Sequence, residues 1–170
     1  SAHGEATELE EFVENGVEVV IAFLDFQPAV AIPIVSTALA PFFAQLNTAL
    51  PSSEDGLLDL TTAFVLLTNL QPNLTLSIES FAALSMAFAP FVRLLQHLPA
   101  AAGFFGLPAL TRAAVTSVRP LVSMLTSFDA EGLQFTAQLA ELCVKIIPTL
   151  PQATAEVLLG FFSELITMTR

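Results

Sequence analysis

The side chains best suited to act as base, nucleophile or metal ligand are few: two histidines, one cysteine and sixteen carboxylates in 170 residues. His3 stands in the N-terminal tail, and His97 falls near the end of an expected helix, where an imidazolium suits the negative end of the helix dipole. Neither has Cys, Asp or Glu neighbours at metal-ligand spacing. Cys143, between Leu142 and Val144, reads as a small buried apolar residue. Glu141 and Lys145 beside it do not make a thiolate, and a single cysteine excludes an internal disulfide. There is no glycine-rich phosphate loop and no nucleophile elbow. The carboxylates fall on helix faces and in turns rather than as an acid–base pair. The expectation is a protein that is not an enzyme, with no catalytic residue, metal site or cofactor.

What remains is apolar chemistry. Hydrophobic residues make up 54% of the chain and charged residues 12%, about half the usual quarter. Fifteen of the side chains are Phe, with no Trp or Tyr, so the aromatic content carries no polar handle. Phe42, Phe43, Phe64, Met86, Phe88, Phe91, Phe104, Phe105, Phe161 and Phe162 are the candidate ligand-binding residues. They would line a helical cavity for an apolar small molecule such as a lipid, fatty acid or pigment. A phenylalanine-packed core accounts for the same residues. Surplus apolar area marks a self-association face, a ligand cavity or a membrane-facing surface.

The net charge of −11 is unevenly placed. Eleven acidic residues and no Lys or Arg precede Arg93. From Arg93 onward five basic residues balance five acidic ones. Phosphate neutralisation needs a basic patch, which excludes a nucleic-acid partner. A constitutive membrane protein would need Lys/Arg asymmetry beside its spans, and the first half has none to offer. The start, SAHGEA, shows no basic or apolar leader region. Asn73-Leu74-Thr75 matches the acceptor for N-glycosylation. Together these give the expectation of a secreted protein.

The elements that must position these residues read as helices. No stretch alternates with period two over a useful length. A first helix opens with Thr7 and Glu10 at capping-box spacing, after a flexible tail over 1–6, and carries Glu8, Glu11, Glu14 and Glu18 on its outer side. Phe26 to Ser53 follows without one charge. Twenty uncharged residues are enough to cross a bilayer, but the interior Pro33 and Pro41 and the lack of basic anchors favour a bent helix at the centre of a soluble bundle, with Phe42 and Phe43 facing the core or a cavity within it. Further helices are expected over 57–70, 77–98, 108–128 and 129–150, the last of these capped by Asp129, and from Pro151 onward. PAAAGFFGLP, 99–108, is the one long Gly/Pro connection. Pro41, Pro90 and Pro120 lie inside helices and kink them, a shape suited to enclosing a cavity. The fold expected is an all-α, single-domain bundle of six to seven helices over 1–170, with largely apolar, proline-kinked central helices.

The segments ATELEEF, SSEDGLLDLTTAF, LSIESFAALSMAF and VRPLVSMLTSF, in that order between Ala6 and Phe128, resemble the N-terminal assembly domain of spider silk proteins. The resemblance implies a five-helix bundle that dimerises when its acidic residues take up protons. This chain departs from that pattern: it has no tryptophan, few basic counter-charges and two additional helices. Three functions from different classes follow: a carrier of apolar small molecules, a module that associates with copies of itself in a pH-dependent way, and a protein that inserts into membranes when acidified.

Overall fold

A computed structural model describes residues 15–168, and these form an all-α bundle of seven helices with no strand. Helix α1 is described over 15–26. It is followed by α2 (Pro28–Gln45), α3 (Glu54–Leu74), α4 (Phe81–His97), α5 (Leu107–Val122), α6 (Asp129–Ile146) and α7 (Gln152–Met168). Short 3-10 turns close α3, α4, α5 and α6. The capping box at Thr7, the tail over 1–6 and His3 lie outside the described residues.

Each start has a local cause. Pro28 occupies the first turn of α2, where a missing N–H costs nothing. The Ser53 hydroxyl accepts from Gly56 N at 3.0 Å and caps α3, with Glu54 and Asp55 in the first turn. Ser80 caps α4 by accepting from Ala83 N at 3.1 Å. Helix α4 therefore begins at Phe81 instead of at 77, and Glu79 stands before the cap. Helix α3 runs on through Pro72 to Leu74 instead of breaking at Gln71. The Gln71 amide donates to Ser117 O of α5 at 2.9 Å and pins the extra turn to a neighbour.

Asp129 does not cap α6. It adopts φ 50°, the one positive φ at a non-glycine among the described residues, and it joins the 3-10 turn Leu125–Phe128 to α6 at a sharp corner. Gly132 packs so closely under this corner that a Cβ would overlap the Leu125 carbonyl oxygen.

The centre of the bundle is α5, which packs against α3, α4 and α7. It buries nine of its residues, including Thr111 and Ser117. Their hydroxyls remain satisfied there by donating to their own helix, to Leu107 O at 2.8 Å and Ala114 O at 2.7 Å. The main core runs from Leu46 to Leu165 through α3, α4, α5, α6 and α7. A second, smaller cluster (Leu24, Ala31, Val35, Leu39, Ala63, Leu70) fastens α1 and α2 to α3. Half-buried Phe43 packs on both.

This corrects the expectation for 26–53. Helix α2 lies at the flank and buries only Ala31, Val35 and Leu39. Pro33 and Pro41 both stand on its outer side. With both prolines outside and only three residues buried, α2 is not the wall of a central chamber.

Candidate functional site

The ten apolar candidates separate into three groups. Phe64, Phe88, Phe91 and Phe161 are 0–1% exposed. At that exposure no water-sized space touches them. Their rings pack on other rings: Phe64 on Phe43 at 5.1 Å, Phe88 on Phe135 at 5.1 Å, and Phe91 edge-on to Phe161 at 5.0 Å. These four are solid core. Phe104 is buried with its ring 5.2 Å from that of Phe105, which is largely exposed, and Phe162 is half-buried against the main core. The structure therefore does not gather all ten around one cavity. Phe43 and Met86 are brought together, in a groove between α2, α3 and α4. Phe42 points outward, against expectation.

Exposed large apolar side chains are spread over the bundle, Leu76, Met86, Phe105, Leu133 and Val144 among them; the one described helix that carries them with no charged residue is α2. Its outer side presents Val30 (52% exposed), Ile34 (56%) and Phe42 (37%), and Phe26 at the α1–α2 junction is 81% exposed. Val30, Ile34, Ala38 and Phe42 repeat every four residues and form one ridge along the helix. Ala29, Pro33, Thr37 and Pro41 are exposed beside them. No charge falls between Asp25 and Glu54, so the face is apolar from end to end, and it is flanked by the acids of α1 and of the first turn of α3. Sequence reasoning named Phe42 and missed Phe26, Val30 and Ile34. The segment carries no charge and was therefore expected at the centre of the bundle, which hid its outer face.

Two helical stretches, Pro28–Gln45 and Phe81–Ala101, are long and apolar enough to cross a membrane by length and composition. They differ in burial. The second is the core stripe of α4, with Leu84, Phe88, Phe91, Leu94 and Leu95 inside. The first has 17% of its residues buried.

The titratable groups serve structure. His97 Nε2 lies 3.1 Å from Leu46 O. A carbonyl only accepts, so that nitrogen carries the hydrogen, and the ring ties the end of α4 to the turn after α2. Arg119 and Glu164 approach to 3.6 Å in the open, a surface contact of small worth. Among the described residues, no group of three or more His, Cys, Asp or Glu is placed to hold a metal ion.

Burial pushes the Cys143 thiol up from 9.0 to about 11. The raised value favours the neutral thiol, so its contribution to stability is full below pH 9.0 and fades as pH rises through about 11. At pH 8 the folded protein is expected to react with a disulfide reagent at least a hundred times more slowly than the urea-unfolded chain. A thiol assay with and without denaturant checks this.

In comparisons with known proteins, no protein-family model, no curated protein and no solved structure matches this chain. The likeness to the silk assembly domain therefore stands on the quoted segments alone. The fold and surface define an all-α bundle with a sealed phenylalanine core and one uncharged, outward-facing helix.

Proposed function

We propose that this protein is a non-enzymatic helical module that associates with a second copy of itself through the outer face of α2. The observation that carries the reading is the exposure of an uncharged ridge on a molecule whose first half is acidic. Two copies with a net charge of −11 each repel one another, and α2 is where they can meet without opposing charges of like sign.

The ridge is also self-complementary. Val30 and Ala38 each stand four residues from Ile34, about 6 Å along the helix. A two-fold axis at Ile34 therefore sets Val30 of one copy against Ala38 of the other and Ile34 against itself, while Phe26 lies beyond the break at Gln27. That is the reciprocal pattern an isologous contact requires.

An anionic bilayer fits this face less well. No Lys or Arg precedes Arg93, and Glu18, Asp25, Glu54 and Asp55 flank the ridge, so lipid head groups would be repelled at its borders.

Sedimentation equilibrium tests the reading. The expected mass is about 36 kDa, twice the 18.1 kDa of the chain. Raising the salt from 20 to 500 mM is expected to tighten the dimer several-fold, because like-charge repulsion is screened. An 18 kDa species at all concentrations, or leakage of anionic vesicles by the monomer at pH 5, would replace this reading with the carrier or the membrane-inserting one.

A further inference from the structure

The C-terminal end of α3 carries a motif that association through α2 does not use. Of the four asparagines, Asn15, Asn47, Asn69 and Asn73, only Asn73 has a hydroxyl side chain two residues on, in Asn73-Leu74-Thr75. That is the acceptor pattern for a carbohydrate joined to an amide nitrogen.

The fold leaves room for such a group. Asn73 is exposed in the last turn of α3, and its side chain makes no hydrogen bond to any described residue. Asn69, one turn earlier, differs: its Nδ2 donates to Val65 O at 2.9 Å. Pro72, Leu76, Ser77, Glu79 and Ser80 are exposed around the motif. The segment is also held only locally. Pro72 removes one backbone hydrogen bond of the helix, Thr75 Oγ1 donates to Pro72 O at 3.3 Å, and Ser77 Oγ donates to Leu74 O at 2.8 Å. Of the three motif residues only Leu74 packs on a core cluster, and it is half-buried.

Leu76 adds an independent reason. It is 82% exposed, the highest value among the large apolar side chains described. It follows Asn73 by three residues, a spacing that puts both on one side of a helical turn. The C–H face of a sugar ring on Asn73 would cover it. A chain with 54% hydrophobic and 12% charged residues gains solubility from a bulky polar group at that surface.

We infer that Asn73 is an attachment site for an N-linked oligosaccharide. Its Nδ2 attacks C1 of a sugar carried on a lipid diphosphate. The C1–N bond forms and the C1–O bond to the diphosphate breaks. The amide gives up one proton to a carboxylate of the transferring enzyme, and the lipid diphosphate leaves. The Thr75 hydroxyl is the group that enzyme reads. The inference rests on the secretory route expected from the sequence and is independent of the dimer.

The test expresses the full chain behind a cleavable secretion signal in cultured insect cells and weighs the secreted protein. The same chain made in a cell-free extract without the transferase supplies the reference mass, 18.1 kDa. The secreted protein is expected to be heavier by one oligosaccharide and to return to the reference on treatment with a glycoamidase, which leaves a carboxylate at position 73. Asn73→Gln and Thr75→Ala are expected to lose the added mass, and Thr75→Ser to keep it. Unaltered protein secreted at 18.1 kDa, or added carbohydrate that survives Asn73→Gln, overturns the inference. The first of these readings needs no variant.

Discussion

Replacing Gly132 with alanine is expected to cost about 3 kcal/mol or more, a large share of the roughly 5–15 kcal/mol by which an ordinary domain is stable. The added methyl would overlap the Leu125 carbonyl oxygen. That obstacle is backbone, and it cannot swing aside as the end of a side chain would. Leu125 is itself buried in the main core, so pushing its carbonyl away opens the packing of the 3-10 turn against α6. Asp129, held at φ 50° between the two elements, leaves the corner no slack, since non-glycine residues rarely adopt that region. Urea unfolding followed by circular dichroism gives the measurement. A midpoint within 0.3 M of the unaltered protein would show that the corner can open freely.

Phe91→Ala is expected to cost about 3–5 kcal/mol and to lower the urea midpoint by about 1–2 M. Phe91 is 1% exposed, with its ring 5.0 Å from that of Phe161, so its removal leaves a void that α4, α5 and α7 must collapse to fill. Phe42→Ala is the informative contrast. Its side chain is outside the core, and at concentrations where the protein is monomeric the change should move stability by less than about 0.5 kcal/mol. The same substitution should weaken the dimer. A site built from all ten apolar candidates would not separate in this way; both substitutions would then alter ligand uptake and neither would dominate stability.

The all-α class and most helix positions were legible because prolines, glycines and serine caps punctuate the chain at the points where the helices start and stop. Ser53, Pro28 and Pro151 acted as the local chemistry of those residues requires. The arrangement was legible only in part. Hydropathy ranks α2 above α5, since α2 has no charge while α5 carries Arg112, Arg119 and several hydroxyls. The structure reverses that order. Thr111 and Ser117 satisfy themselves against their own helix and can be buried, and both arginines of α5 are exposed.

An uncharged helix and a central helix are different things, and composition alone does not separate them. Asp129 misled for a related reason. Aspartate is a favoured cap, but here the turn before it sets its backbone. Of the candidate residues, Phe43 and Met86 line one groove. Val30 and Ile34 were hidden by the expectation that an uncharged helix lies at the centre of the bundle.

The central claim is that two copies meet across a two-fold axis at Ile34. Cross-linking tests it most directly. Ile34→Cys places a thiol on the axis, opposite its own copy, while Leu76→Cys places one at a similarly exposed position on the turn after α3. Cys143 is buried and serves as a silent background. Under mild oxidation Ile34→Cys is expected to run as a disulfide-linked dimer on a non-reducing gel, and Leu76→Cys to remain largely monomeric. Monomer from both variants, or equal dimer from both, would contradict the account.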